Sequence, residues 1–149
     1  MYEAAGDHRA VDFNRDGTKL VVSKYTSASF SQLFEVTLAT GEKREITPKG
    51  EEWSFDAIGY DATDHNFIVN TDYKGDLNTI HTIDLQTGMI KPVLTDLAGR
   101  EIDYGTLNED HRFWRRSSTK TGMRRCTCGK LRTSRRFRDR RWLKALWEM

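Results

Sequence analysis

The sequence predicts an all-β fold of repeated four-stranded sheets, because the chain repeats itself at a spacing of 47 residues. The matching pairs are Leu38-Ala39-Thr40-Gly41 with Leu85-Gln86-Thr87-Gly88, Val36 with Ile83, Asp56 with Asp103, and Leu20 with Phe67. Apolar and polar residues alternate with period two inside each repeat, and the helical spacing of three and four is absent. A four-stranded repeat of this length is the size of one β-propeller blade, which needs its neighbours to bury its apolar face.

The first repeat contains four predicted strands, at residues 10–13, 20–22, 32–38 and 43–47. Turn-forming residues separate them, most clearly Asn14-Arg15-Asp16-Gly17 after the first strand and Ala39-Thr40-Gly41-Glu42 after the third. In the third strand, Leu33, Glu35 and Thr37 alternate with Phe34, Val36 and Leu38. This alternation predicts a strand with one buried face.

The second repeat follows the same plan, with predicted strands at 55–60, 67–71, 79–85 and 90–94. A third repeat begins at 100–104 and reaches Asp110-His111-Arg112-Phe113, which matches Asp64-His65-Asn66-Phe67 at one residue less than the period. An apolar strand is due next, but the chain continues as Trp114-Arg115-Arg116-Ser117-Ser118-Thr119-Lys120. We therefore predict a partial β-propeller of two four-stranded blades plus part of a third.

Charge divides the chain at the same place. The formal net charge of +2 is the sum of two segments that carry net charges of opposite sign. Residues 1–111 hold 10 basic and 20 acidic residues, a net charge of −10, whereas residues 112–149 hold 14 basic and 2 acidic residues, a net charge of +12. We assign 1–113 to partial propeller repeats and 114–149 to a basic tail, rich in Arg and Trp, which we expect to be irregular.

Three hypotheses account for the tail. The first is out-of-frame sequence: read one base early, the codons after Phe113 can encode roughly Leu-Ala-x-Val-Val-Tyr-Glu-Asp-Gly-Asp-Ala-x-Val-Tyr-Val, the missing strand, turn and strand. The second is a disordered, solvated segment, the usual fate of a block of like charges. The third is a nucleic-acid-binding arm, in which basic clusters interleave with Trp114, Phe137, Trp142 and Trp147. We place the out-of-frame hypothesis first and the nucleic-acid arm last.

The motifs that could bind a metal are incomplete. Residues 12–17 match the opening of an EF-hand calcium loop, but Ser23 stands where the bidentate glutamate belongs and strands flank the motif, so a turn is expected. Cys126 and Cys128 could supply two ligands, whereas a structural zinc site needs four. The histidines all lie upstream, at His8, His65, His81 and His111.

Catalytic patterns are likewise absent from the sequence. His65 and His111 recur at turns that the alignment makes equivalent, and Asp56 and Asp103 recur on different blades, so we interpret them as parts of the repeat and not as an acid/base pair. The nucleophile elbow G-x-S-x-G, the P-loop and G-x-G-x-x-G do not occur. We therefore assign no catalytic, cofactor-binding or metal-binding residue, and we expect no cofactor.

Two motifs carry a resemblance to a known family. Phe13-Asn14-Arg15-Asp16-Gly17-Thr18-Lys19-Leu20 resembles the blade signature of TolB-like, WD-related propellers. Together with residues 33–41, it looks like the amino-terminal propeller of the prolyl oligopeptidase family of serine peptidases, over roughly residues 7–113. The resemblance implies a propeller that caps a separate hydrolase domain, in which the family's catalytic triad lies. It carries no catalytic residue over to this chain.

The leading functional hypothesis is a truncated, frameshifted propeller fragment of such a peptidase, inactive alone. The alternatives are a non-enzymatic propeller that binds a protein or peptide, and nucleic-acid binding through the tail. Incomplete propellers expose sheet edges, so self-association is a further expectation. The sequence shows no signal peptide and no apolar run long enough to span a bilayer, and we expect a cytoplasmic protein.

Overall fold

A computed structural model describes residues 7–50, 52–93, 102, 104–108, 111, 113–120 and 123–130. These residues form strands, turns and irregular segments, and none of them is helical. The strands are β1 (Asp7–Phe13), β2 (Lys19–Ser27), β3 (Phe30–Thr37), β4 (Lys43–Glu45), β5 (Phe55–Tyr60), β6 (Asn66–Thr71), β7 (Thr79–Asp84), β8 (Ile90–Pro92), β9 (Tyr104–Leu107), β10 (Phe113–Lys120) and β11 (Met123–Lys130).

The strands form three antiparallel sheets. Blade 1 has the order β1-β2-β3-β4, and blade 2 has the order β5-β6-β7-β8. Sheet 3 has the order β11-β10-β9. Within each sheet, each strand pairs with the next in the chain, as alternation separated by short turns predicts. The prediction of an all-β chain with two four-stranded blades is confirmed.

Turn geometry recurs at a spacing of 47 residues in all three sheets. Gly17, Asp64 and His111 have positive φ angles of 68°, 58° and 55°. Their amides donate to the carbonyls of Asn14 (3.0 Å), Asp61 (3.2 Å) and Asn108 (2.8 Å), respectively. His111 is therefore the equivalent of Asp64, and its predicted equivalence to His65 is wrong. The residue with a positive φ angle marks the same position in each turn, because few non-glycine residues adopt this conformation.

Two apolar clusters hold the sheets together. The larger lies between blades 1 and 2 and contains Val21, Leu33, Ile46, Phe55, Tyr60, Phe67, Val69, Ile83 and Leu85. The smaller lies between blade 2 and sheet 3 and contains Ile68, Ile80 and Ile102. Blade 2 is thus covered on both faces, and its strand β6 is buried at every residue from Phe67 to Thr71.

Strand β3 is also buried on both faces. Leu33 and Glu35 on one face are 0% and 5% exposed, and Phe34 and Val36 on the other are 8% and 3% exposed. The prediction of a single buried face in this strand is therefore wrong. Alternation of polar and apolar residues does not reveal this, because stacking against blade 2 covers the polar side as well.

Sheet 3 extends into the segment that was expected to be irregular. Strands β10 and β11 occupy 113–120 and 123–130, so the expectation of an irregular tail from residue 114 is wrong for these residues. Residues 131–149 lie outside the described part of the chain. The sheet crosses the predicted domain boundary at 113, because β9 pairs with β10, with Leu107 opposite Trp114.

The register of the last hairpin departs from the repeat. Leu20 lies opposite Val36 in blade 1, and Phe67 lies opposite Ile83 in blade 2, so each pair is 47 residues from the other. The same spacing would place Trp114 opposite Lys130, but Trp114 lies opposite Gly129. The β10–β11 pairing is thus one residue out of step with the two complete blades, a difference that changes which residues share a face.

Candidate functional site

A cavity of about 430 Å³ opens between blades 1 and 2. Lys19, Glu35 and Arg44 line it from blade 1, and turn residues Asp64, His65 and Gln86 line it from blade 2. Strands β2, β3 and β4 bring the three blade 1 side chains together, since Lys19, Glu35 and Arg44 lie on adjacent strands. The cavity is therefore a polar cleft at a junction between two blades.

The Glu35 carboxylate is the centre of this cleft. It is 5% exposed, and its Oε2 accepts from Arg44 Nη2 at 2.7 Å and from Lys19 Nζ at 3.3 Å. Its Oε1 lies 3.4 Å from the hydroxyl of Tyr60, which donates across the blade junction. A buried carboxylate needs such partners, because an unpaired charge in the interior is costly.

The environment of Tyr60 also favours its neutral form. Burial raises the pKa of the Tyr60 hydroxyl well above its ordinary value of 10.0, and the negative charge of Glu35 adds to this shift. The hydroxyl is thus a hydrogen-bond donor throughout the ordinary pH range, and it is poorly suited to act as a base. Its ring packs edge-on against Phe67, with the centroids 5.2 Å apart.

The Glu35 cluster is not a consequence of the repeat. At a spacing of 47 residues, Glu35 corresponds to Thr82, and Lys19 corresponds to Asn66. Tyr60 likewise corresponds to Leu107. Among the described residues, the charged cluster therefore belongs to the junction between blades 1 and 2 and is not repeated. The sequence gives one signal of the cluster, a charged glutamate between the apolar residues Phe34 and Val36 of β3.

A second polar contact joins all three sheets. Asp12 Oδ2 accepts from the amide of Tyr60 at 3.0 Å, and it lies 3.8 Å from His111 Nδ1. His111 Nδ1 also lies 2.9 Å from the carbonyl oxygen of Tyr60, which can only accept, so this nitrogen carries the proton. Gly59 permits the approach, since a Cβ there would lie 2.8 Å from Asp12 Oδ2.

The EF-hand-like segment contains a turn in which the side-chain oxygen atoms of Asn14 and Asp16 accept from nearby groups. Asp16 Oδ1 accepts from the amide of Thr18 at 3.0 Å, and Asn14 Oδ1 accepts from the amide of Lys19 at 2.8 Å. The hydrogen bond from the Thr18 hydroxyl lowers the pKa of Asp16, and the bond from its amide adds to the effect. The expectation of a plain turn between β1 and β2 is confirmed.

The remaining candidate residues are scattered. His65 and Asp56 are exposed, His81 is 9% exposed within β7, and His8 lies in β1. Cys126 and Cys128 lie in β11, and Asp103 lies outside the described residues. Within the described ranges, no three His, Cys, Asp or Glu side chains come together as a metal site would require. The same part of the chain has no helix with the length and apolarity that crossing a membrane requires.

Sequence comparisons identify no relative. No protein-family model matches the chain, and no curated protein matches it. The fold, by contrast, has clear counterparts among solved structures, and these define the chain as a set of β-propeller blades.

Three of these structures show the similarity. TolB from Acinetobacter baumannii superposes with a TM-score of 0.62 at 18% identity, over 82% of this chain and 29% of its own. Prolyl oligopeptidase B from Galerina marginata superposes with a TM-score of 0.67 at 13% identity, over 83% of this chain and 18% of its own. A prolyl endopeptidase gives a TM-score of 0.66 at 14% identity, with the same coverages of 83% and 18%. The chain thus spans less than a third of each of these proteins, and at such identities the likeness shows the fold.

Proposed function

We propose that this chain forms consecutive blades of the propeller of a prolyl-oligopeptidase-like serine peptidase and contributes no catalytic residue of its own. The observation that carries the proposal is the order and spacing of the blade motifs at 13–20 and 33–41, on a fold shared with two prolyl oligopeptidase structures. In the described residues, the polar clusters at Glu35 and Asp12 lie at blade junctions, where they serve packing. Neither contains a nucleophile beside a base, as acyl transfer requires.

We further propose that the chain from 114 onwards is translated out of frame. Four buried positions of blades 1 and 2 support this: Val21 and Ile68, Val22 and Val69, Leu33 and Ile80, and Val36 and Ile83, all at most 3% exposed. The corresponding residues at the next repeat are Arg115, Arg116, Thr127 and Lys130. Charged residues at such positions oppose the stacking of another blade, because burying an unpaired charge is costly. The one-residue change of register in β10–β11 begins in the same segment.

The coding DNA tests the frame directly. Read one base early after the Phe113 codon, it should encode apolar strands at the positions of Val21, Val22, Leu33 and Val36, followed by further blades and a G-x-S-x-G motif. The same shift applied to codons 55–113 is the control, and it should destroy the blade pattern there. A stop codon or a patternless sequence in the shifted frame past Phe113 would refute the out-of-frame proposal.

Enzyme assays test the peptidase assignment. The purified chain should not hydrolyse fluorogenic prolyl peptides or acylated dipeptides above the buffer rate, and a fluorophosphonate probe should not label it. The product of the frame-restored gene should do both, since the probe reacts with an activated serine. A restored product that folds but neither reacts with the probe nor cleaves a peptide would contradict the peptidase assignment.

The second candidate is a non-enzymatic propeller that binds a protein or peptide. The similarity to TolB and the polar cleft around Glu35 favour it. On this hypothesis Glu42 and Asp64, which line the cleft, would receive a basic group of the partner. Titration with Lys- and Arg-containing peptides, compared between the native chain and the Glu42→Gln variant, is the test. Equal affinities for the two proteins would count against the cleft as a binding site.

A further inference from the structure

The β10–β11 hairpin concentrates positive charge. Residues 113–130 contain six basic residues and no acidic residue. The basic residues are Arg115, Arg116, Lys120, Arg124, Arg125 and Lys130. Residues 1–111 carry a net charge of −10, so the hairpin and the acidic blades are opposite in charge. Because the hairpin consists of two paired strands, its basic residues are spaced along a regular backbone.

Strand pairing places basic residues on both faces of the hairpin. The β10–β11 register runs without a shift from the pair Phe113 and Lys130 to the pair Lys120 and Met123. Residues opposite each other share a face, and alternate residues of a strand lie on opposite faces. One face therefore bears Arg115, Arg124 and Lys130, and the other bears Arg116, Lys120 and Arg125.

The polar sequence of β10 does not suit a further blade as the partner of the hairpin. Along β10, only Phe113 and Trp114 at the start of the strand are apolar. The middle of blade 2 is different, since β6 is buried from Phe67 to Thr71 between its neighbours. Burying the charged residues of β10 in the same way would be costly. A charged, hydrated partner is therefore the better complement.

The far end of the hairpin extends beyond the third strand of its sheet. Strand β9 pairs with β10 only from Trp114 to Ser117. The pairing of β10 with β11 continues past this point, so residues 118–120 and 123–125 form a two-stranded ribbon. Three of the six basic residues and two hydroxyl residues belong to this ribbon: Lys120, Arg124, Arg125, Ser118 and Thr119. Arg, Lys, Ser and Thr are residue types that commonly contact phosphate groups in protein–DNA complexes.

We propose that the β10–β11 hairpin binds the phosphate backbone of a nucleic acid, without preference for base sequence. The inference goes beyond the proposed function. It depends on the charge and pairing of the chain as translated, and it holds whichever reading frame its codons once had. The acidic blades repel the same partner, so contact is expected at the hairpin end of the molecule.

The geometry of a nucleic acid matches the hairpin. A strand of eight residues such as β10 spans about 26 Å, a length of duplex DNA that carries about 15 negative charges. A guanidinium group can donate two parallel hydrogen bonds to one phosphate, and four of the six basic residues are arginines. A two-stranded ribbon also has the dimensions that the major groove admits.

Fluorescence anisotropy of a labelled duplex of about 30 base pairs, titrated with the full chain between about 50 and about 200 mM salt, tests the proposal. The logarithm of the affinity should fall linearly with the logarithm of the salt concentration, with a slope of about −3 to −5 for three to six phosphate contacts. The triple variant Lys120→Gln, Arg124→Gln, Arg125→Gln should lower the affinity at least about tenfold and reduce the slope by about 2–3.

Two further variants keep the test specific. Arg124→Lys with Arg125→Lys retains the charge and should retain the salt slope. The matched control is Arg15→Gln, Lys49→Gln, Lys91→Gln, which removes the same charge from exposed positions of blades 1 and 2. It should leave the affinity within about threefold of the native value, because these positions lie outside the contact. Far-UV circular dichroism establishes that each variant remains folded.

Four results would overturn the proposal. The first is a native chain that does not bind the duplex at about 50 mM salt. The second is an equal loss of affinity in the two triple variants. The third is full affinity in the hairpin triple variant, which would assign the binding to residues 131–149. The fourth is competition by polyglutamate as effective as that by unlabelled duplex, which would show that the hairpin does not select phosphate.

Discussion

At the scale of single residues, Glu35 is held by groups from three strands. Lys19 and Arg44 reach it from the neighbouring strands of its own blade, and Tyr60 reaches it from the next blade. The side chains of Lys19 and Arg44 remain 42% and 49% exposed, so their charges are still partly hydrated. The buried Glu35 carboxylate is therefore stabilised mainly by its hydrogen-bond partners, whereas the charges of Lys19 and Arg44 are also stabilised by water.

Replacing Glu35 by Gln should lower the free energy of unfolding by about 1–3 kcal/mol, because the negative charge is lost in a buried site and one accepting oxygen becomes an amide nitrogen, which can only donate. Urea unfolding measures the change. Glu42→Gln is the matched control, since Glu42 lines the same cleft but is exposed, and it should stay within about 0.5 kcal/mol of the native chain. Equal losses in the two variants would contradict the burial argument.

Tyr60 should make the stability of the fold fall at alkaline pH. Its pKa is raised in the folded state, so the folded chain holds the proton where the unfolded chain has lost it. The stabilisation is fully present below about pH 10, the pKa in the unfolded chain, and it is lost as the pH rises further. Thermal unfolding between about pH 8 and about pH 11 should show a steeper loss of stability for the native chain than for Tyr60→Phe.

Tyr25→Phe controls for the loss of a hydroxyl as such. Tyr25 is 53% exposed, and its variant should follow the pH dependence of the native chain. If Tyr60→Phe and the native chain lose stability in parallel as the pH rises, the proposed effect of burial on Tyr60 is wrong.

At the scale of elements, an irregularity in the first strand of each complete blade shapes the junction between them. The β1–β2 register shifts between Ala10 and Asp12, and the β5–β6 register shifts between Ala57 and Gly59. Such bulges re-aim side chains, and here the first one turns Asp12 towards the amide of Tyr60. The sequence predicts the strands but not the bulges, because period-two alternation carries no information on a single extra residue.

Gly59→Ala should destabilise the fold by about 1–3 kcal/mol, because the added methyl group would lie 2.8 Å from Asp12 Oδ2 and the neighbouring groups are packed. Gly75→Ala is the control, since nothing lies within 4 Å of a Cβ at that position. Chemical denaturation of both variants measures the difference.

The Asp12→Ala background isolates the contact itself. In that background the Gly59→Ala change should lower the free energy of unfolding by a smaller amount, because the closest atom, Asp12 Oδ2, has been removed. An unchanged cost would show that the backbone conformation at Gly59, and not the carboxylate of Asp12, is responsible.

At the scale of the whole molecule, the blades depend on one another for their cores. The cluster between blades 1 and 2 draws on both sheets, and blade 2 shares a second cluster with sheet 3. An isolated four-stranded sheet would leave one of these faces in water. Repeat arrays of this kind gain their stability from neighbour interfaces, so loss of one interface should affect its neighbour.

Leu33→Ala should therefore destabilise both blades together, by about 2–5 kcal/mol, although the residue belongs to blade 1. Trp53 packs against the same cluster, and its ring lies next to that of Tyr73 of blade 2, with the centroids 5.8 Å apart. The fluorescence of Trp53 therefore reports on the blade 2 side of the cluster. Fluorescence and circular dichroism should give one coincident transition. Leu77→Ala, at a residue 37% exposed, is the control and should cost far less. Two separate transitions would indicate blades that fold independently.

Much of the fold could be predicted from local patterns. The four strands of each complete blade follow from alternation bounded by turn residues, and the 47-residue match placed Val36 and Ile83 at corresponding positions, both of which are buried. The equivalence of His65 and His111 failed because identical residue types were aligned, whereas the turn selects a backbone conformation. The strands at 113–120 and 123–130 were missed because their composition is polar and basic, although backbone pairing does not itself require apolar side chains.

The sequence by itself determined the repeat, the number of strands in each complete blade and the place where the apolar pattern ends. These features depend on residues that are close together in the sequence, so the order of residue types is enough to predict them. The tertiary structure alone decided that Glu35 meets Tyr60, that Asp12 meets the amide of the same residue, and that both faces of β3 are buried. These contacts join residues of different blades, and they exist only because one twisted sheet stacks on the next.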